Sequence, residues 1–185
     1  MPATKLRIAG GTARGVPLTE PKGLRLRPTS GLLREALFNI LAAQVEDAAV
    51  LDLYAGTGAL GIEALSRGAA SATFVDAEAA SCQAILATLA RIAMSTRATV
   101  LRGRLPAALA SVDGQFDIIF LDPPYQDDAT TTLLQLPPFV RPTGVVVYEH
   151  ASRYNPPERP DGLLLAERRV YGDSAVALYV PQEGE

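Results

Sequence analysis

The sequence predicts an α/β chain built on a mostly parallel sheet with helices on both faces. Three observations carry that expectation. From residue 49 onward, apolar runs alternate repeatedly with helix-like stretches. Several of those runs are apolar at nearly every position, as strands covered on both faces are. The final apolar stretch doubles back around Gly172-Asp173, as a closing antiparallel hairpin does.

The elements follow in order. Residues 5 to 28 are cut by Gly10-Gly11, Gly15, Pro17, Pro21, Gly23 and Pro28, which reads as short strands and turns. Thr29 or Ser30 can cap a helix to about Gln44, with Leu33, Leu37, Ile40 and Leu41 on one face. "AVLDLYA" (49–55) is a buried strand, and "ALGIEALSRG" (59–68) a helix closed by Gly68. "SATFVD" (71–76) is a strand, 77 to 94 an Ala-rich helix, and "ATVLRG" (98–103) a strand. A short helix follows from about 105, then the strand "FDIIFLD" (116–122). Residues 127 to 136 read as a helix, "GVVVYEH" (144–150) as a strand, and 163 to 180 as the hairpin.

Composition narrows the classes. The chain has 185 residues, 48% of them hydrophobic, enough for one domain with a small appendage. With Cys82 and His150 the sole residues of their kinds, no internal disulfide and no His/Cys zinc site can form. We expect no metal. No run is long enough to span a membrane, and "MPATKLRIAGG" has no apolar core of a signal peptide. A cytoplasmic, monomeric protein is the expectation. Charge is uneven: residues 1 to 34 hold seven basic side chains against Glu20, a net of +6 within a chain of −3 overall. That asymmetry points to an anionic partner met by the N-terminal part.

In open parallel sheets, ligands sit beyond the carboxyl ends of the strands where strand order reverses. The first strand runs into Asp52-Leu53-Tyr54-Ala55-Gly56-Thr57-Gly58-Ala59-Leu60-Gly61. Gly56, Gly58 and Gly61 match G-x-G-x-x-G, and Asp76 ends the next strand at the offset of a ribose-binding acid. A dinucleotide is therefore one candidate ligand. Asp52 argues against it, because a carboxylate at the mouth of a buried strand repels a pyrophosphate and favours a cation. S-adenosylmethionine carries a sulfonium and an amino group and no phosphate. The pattern D-x-x-x-G-x-G with an acid ending the second strand resembles the cofactor loop of Rossmann-like methyltransferases. That resemblance implies Gly56 and Gly58 along the methionine part and Asp76 on the ribose hydroxyls. Asp52 would order the loop or bind the amino group.

"LDPPY" (121–125) follows the strand "FDIIF". Prolines end strands, but that explains neither the acid before them nor the ring after them. D/N-P-P-Y/F resembles the catalytic motif of enzymes that methylate exocyclic amines. Such an amine needs acceptors that hold its N–H bonds and aim its lone pair. Asp122 supplies a carboxylate, Pro123 a backbone carbonyl, Pro124 rigidity without a competing N–H, and Tyr125 a stacking face. Guanine presents N1–H and the exocyclic amine as adjacent donors, which suits a carboxylate, although D-P-P-Y also serves adenine.

"RIAGGTARG" (7–15), "RPTS" (27–30), "REALFNIL" (34–41), "LDLYAGTGALGIEALSRGAA" (51–70), "FLDPPY" (120–125) and "RRVYGDSAVALY" (168–179) resemble the RsmD-type bacterial ribosomal RNA methyltransferases. The resemblance implies a seven-stranded Rossmann-like class I methyltransferase fold with an antiparallel last strand over residues 29–181. A basic β-hairpin extension over residues 1–28 would enlarge the RNA surface. It implies S-adenosylmethionine as cofactor, small-subunit ribosomal RNA or the assembling subunit as partner, and the exocyclic amine of guanine as acceptor. Candidate RNA contacts are Arg7, Arg14, Lys22, Arg25, Arg27, Thr29 and Arg34. Candidate cofactor contacts are Asp52, Tyr54, Gly56, Thr57, Gly58, Asp76, Gly103 and Arg104. The family's Gly-Asp after the third strand is here Gly103-Arg104, so adenine contacts fall to backbone groups or to a stacked Arg104. Another RNA or DNA amine, a non-catalytic assembly factor and a dinucleotide oxidoreductase stay open as alternatives.

Overall fold

The computed structural model describes residues 6–23, 31–124 and 129–182. The chain forms a seven-stranded sheet in the order β3-β2-β1-β4-β5-β7-β6. Strands β1 (Ala49–Leu53), β2 (Ser71–Asp76), β3 (Ala98–Arg102), β4 (Phe116–Leu121) and β5 (Val140–Ala151) pair in parallel. β7 (Ser174–Pro181) runs antiparallel between β5 and β6 (Leu163–Tyr171). Strand order reverses beside β1, which lies between β2 and β4.

The pleat splits the core into two clusters. Val50, Phe74, Phe120 and Val147 face α3 (Ala59–Ser66) and α4 (Ala79–Arg91) with Ile62 and Ile85. Leu51, Leu53, Ile119, Val146 and Tyr148 face the other way, with Leu109 and Leu133. Gly61 is on α3 because a side chain has no room: a Cβ would lie 2.4 Å from Phe74 Cε1.

Several elements differ from the sequence expectation. The helix expected to about Gln44 breaks at Leu41 into α1 (Gly31–Ile40) and a single turn, α2 (Ala42–Val45). Its expected caps, Thr29 and Ser30, lie outside the described residues. The helix expected over 127–136 is one turn, α5 (Thr130–Leu133), since three β-branched threonines disfavour helix and Pro137-Pro138 follow. The helix expected from 105 is a 3-10 turn, Ala107–Ser111. β5 begins earlier than expected, at Val140, where a register shift against β4 accommodates Pro142. Among the described residues, no helix is long and apolar enough to cross a membrane.

Residues 6–23 fold back through one antiparallel bridge, Arg7 to Pro17, and lie on α3 and α4. Ile8 and Leu18 enter the larger core. Ala13 N–H donates to Ser66 Oγ at 2.9 Å, Ser66 Oγ donates to Gly10 O at 2.6 Å, and Thr19 N–H donates to Thr88 Oγ1 at 2.9 Å. The tightest knot is Glu63, 1% exposed. Its Oε2 accepts Ala9 N–H at 2.8 Å and lies 3.5 Å from Arg34 Nε, while its Oε1 accepts Arg67 Nε at 2.8 Å. Arg67 in turn sits over the Phe38 ring.

This corrects the reading of Arg34 as an RNA contact. It is 3% exposed, its Nη2 donates to Arg7 O, and burial lowers its pKa. Arg34 joins α1 to the N-terminal segment.

Neutralising one member of a buried ion pair strands the other, which costs on the order of 3–5 kcal/mol. Glu63→Gln is expected to lower the unfolding free energy by about 3 kcal/mol. Urea unfolding checks it, with the midpoint falling and the slope unchanged. A midpoint at the parent value removes the pair from the stability account.

Candidate functional site

The sequence-predicted acids meet at the carboxyl edge of the sheet. β1 stops at Leu53, and Tyr54 turns the chain with φ of 58°, a conformation unfavourable for a side chain of that size. Gly56 and Gly58 follow at φ of 57° and 73°, and Gly58 caps α3 with its N–H donating to Ala55 O at 2.7 Å. Glycine accepts these values without strain.

Asp76, at the end of β2, holds this turn. Its Oδ2 accepts Gly56 N–H at 2.8 Å and its Oδ1 accepts Glu78 N–H at 2.8 Å, just ahead of α4. Each oxygen keeps a lone pair for another donor. Gly103 N–H donates to Asp76 O at 2.9 Å, which sets the end of β3 beside the same acid. A Cβ on Gly103 would lie 2.7 Å from that of Ala108, so this glycine serves packing. Arg104 is exposed.

Asp52 is 2% exposed and its Oδ2 accepts Gly61 N–H at 2.8 Å. Of the two roles considered for it, the geometry supports ordering the start of α3. Burial pushes its pKa well above the ordinary carboxylate value, the Gly61 bond opposes this, and the charges of Asp122 and Asp76 add to it. Asp52, Asp76 and Asp122 therefore share one field. The Tyr54 side chain leaves the turn: its hydroxyl is 3.1 Å from Thr132 Oγ1, and its ring packs on the sheet face away from α3. Only its backbone belongs to the turn. Thr57 is half-buried in the turn.

Asp122 continues β4 by one residue, with its N–H donating to Leu53 O at 3.5 Å. It is half-buried, Pro123 is buried and Pro124 exposed, while Tyr125 lies outside the described residues. Behind this turn, Thr130 Oγ1 is 2.7 Å from Tyr154 OH, and Tyr154 meets the rings of Tyr148 and His150. His150 is buried, with Nδ1 2.8 Å from Ala151 O. Cys82 is buried, its Sγ 3.8 Å from Asp76 O.

One acid escaped the sequence reading. Glu149, 9% exposed, lies on β5 one residue after Tyr148, which pairs with Leu121. The signal was an acid at the end of an apolar strand, the same signal that marked Asp76 and Asp122.

Of the candidate RNA contacts, Arg7, Arg14 and Lys22 are exposed on the N-terminal segment. Arg7 Nη1 donates to Gly15 O at 2.7 Å. Arg25, Arg27 and Thr29 lie outside the described residues.

The chain is similar to known proteins over nearly its whole length. A family model described as Conserved hypothetical protein 95 matches residues 6–180. Ribosomal RNA small subunit methyltransferase D of Escherichia coli K12 is 35% identical over 178 residues, covering 95% of this chain and 89% of that protein. YlbH of Bacillus subtilis is 33% identical over 180 residues, covering 94% and 98%. The solved structure of yhhF from Escherichia coli is 34% identical with a TM-score of 0.84, covering 97% of this chain and 99% of that one.

The Asp52 shift sets a pH dependence. Its folded pKa lies above the ordinary 3.8, so the folded chain holds the proton more tightly than the unfolded one. An ionised Asp52 is therefore a penalty that is absent below that value and grows as pH rises toward the folded pKa. Asp52→Asn removes the charge and keeps an acceptor for Gly61. Without cofactor, the variant is expected to melt above the parent near neutral pH, the gap closing as pH falls toward 3.8. Thermal melts across that range check it, and an equal or lower melting temperature near neutrality overturns it.

Proposed function

The chain belongs to the family of the matching model, the RsmD-type methyltransferases, and on that premise we propose that it methylates the exocyclic amine of a guanine in small-subunit ribosomal RNA, with S-adenosylmethionine as donor. The observation that carries the reading is the placing of Asp76 and Asp122 on either side of the turn that ends β1. One acid suits the cofactor and the other the amine.

The residues present suit S-adenosylmethionine better than a dinucleotide. The charges that bear on Asp52, those of Asp122 and Asp76, are both negative. A pyrophosphate would add to that repulsion, while a sulfonium and an ammonium relieve it. Asp76 would take the ribose hydroxyls with its remaining lone pairs, and the Gly56–Gly58 turn would receive the methionine part. Thr57 and Gly103 would border the cofactor through their backbone, with exposed Arg104 beside the adenine end.

Bound there, the cofactor supplies an electrophilic methyl group. The protein's part is to hold the nucleophile. The Asp122 carboxylate and the Pro123 carbonyl each accept one N–H of the amine, which aims its lone pair outward between them. As the nitrogen gains a carbon it must give up a proton, and the Asp122 oxygen already holds that N–H. Pro124 keeps the two acceptors in place, and Tyr125 is assigned the stacking face by its place in the motif. Arg7, Arg14 and Lys22 would meet phosphates; Arg25, Arg27 and Thr29 stand with them by sequence.

Labelled S-adenosylmethionine, offered with unmodified small subunits and with their stripped RNA, tests the reading once product nucleosides are identified. A methyl group on the guanine amine is the expected result, and another base or none overturns it. Asp122→Ala is expected to lose activity by about a thousandfold or more while its cofactor affinity, by calorimetry, stays at the parent value. Unchanged single-turnover rates would take Asp122 out of the mechanism.

The RNA contacts are better tested by substitution than by deletion, since Ile8 and Leu18 of the same segment fill the core. Arg14→Ala with Lys22→Ala is expected to weaken RNA binding and to flatten its salt dependence by about one to two units of log–log slope. A slope equal to the parent's removes both side chains from the RNA surface.

A further inference from the structure

We propose that Glu149 is a second base-reading carboxylate, one that accepts the N1–H of the target guanine beside the amine held at Asp122. The inference rests on the functional reading above and names what selects guanine within it.

The ladder between β4 and β5 ends with Leu121 opposite Tyr148, so the next residues across are Asp122 and Glu149. One pleat earlier, Phe120 and Val147 face each other and both belong to the cluster that packs on α3 and α4. Side chains alternate along a strand, so Asp122 and Glu149 share that face, on strands about 4.8 Å apart. Asp52 lies on the same face, since its Oδ2 meets Gly61 of α3. The opposite face at this end belongs to Tyr148, His150 and Tyr154.

The lateral order is what gives Glu149 a role. Across the sheet run Asp76 on β2, the glycine turn after β1, Asp122 after β4, and Glu149 on β5. The reaction needs its groups in the same order: ribose, methyl group, exocyclic amine, then the rest of the base edge. Guanine's neighbour to the amine is N1–H, a donor; adenine's is N1, a bare acceptor. A carboxylate facing that position accepts from guanine and repels adenine, which the Asp122–Pro123 pair alone does not do. A metal cluster is not the alternative: among the described residues no group of three or more His, Cys, Asp or Glu side chains is placed to hold an ion.

The test compares the parent chain with Glu149→Gln on two RNAs, each with S-adenosylmethionine. One carries guanine at the methylated position, mapped beforehand with the parent; the other carries 2-aminopurine there. That base keeps the exocyclic amine and puts a lone pair where guanine has N1–H. A glutamine amide can donate to that lone pair. The guanine-to-2-aminopurine ratio of kcat/KM is expected to fall by about tenfold or more in Glu149→Gln, with cofactor affinity unchanged. A variant slowed equally on both bases, or on neither, overturns the inference. So does a parent chain that methylates both bases at equal rates, an arm that needs no variant to fold. A parent that methylates no guanine at all removes the functional reading, and this inference with it.

Discussion

Strand β1 is gripped by parallel ladders on both sides, with Asp52 level with Phe74 of β2 and with Phe120 of β4. That double pairing decides where the neighbouring strands can bear function. The crossovers leaving β2 and β4 lie on opposite sides of β1, which makes the carboxyl edge between them the switch point of the sheet, where ligands of such folds bind. The chain must leave β1 abruptly, which Tyr54, Gly56 and Gly58 accomplish with positive φ values. Asp76 then fastens the turn through Gly56, and Asp52 fastens the helix behind it through Gly61. Take away the register of β1 and the acids that end β2 and β4 no longer flank one turn.

A second dependency runs behind the sheet. Glu63 draws together the N-terminal segment, α1 and α3 through Ala9, Arg34 and Arg67. Glu63 is on α3, two residues after Gly61, where Asp52 holds the same helix. The basic segment and the glycine turn are thus two loads on one short helix.

The strand limits were legible because apolar runs of five or six residues bounded by glycine or acid have few other readings. β2 and β4 follow the sequence reading to within a residue. The acids of the site were legible for the same reason, as charges at strand ends are costly without a use. Arg34 was misread because charge counting is blind to burial; its partner Glu63 is 29 residues away in a stretch that looked like a plain helix. The direction of the Tyr54 side chain was not legible, because a positive φ turns a side chain to the other face, which no periodicity announces. α5 was overestimated because local propensity beside Pro137-Pro138 was ignored. Glu149 was passed over because its meaning comes from the register with Asp122, a tertiary fact.

The N-terminal segment has one more consequence, in the order of assembly. Its anchors are far along the chain: Ala9 waits for Glu63, Ala13 for Ser66, Thr19 for Thr88 and Pro17 for Arg91. Synthesis runs from the N-terminus, so these residues leave the ribosome well before their docking helices exist. For that interval they are a basic tether emerging from an RNA machine, and they settle only when α4 closes a long loop over them. The native contacts of this segment are then among the slowest to form.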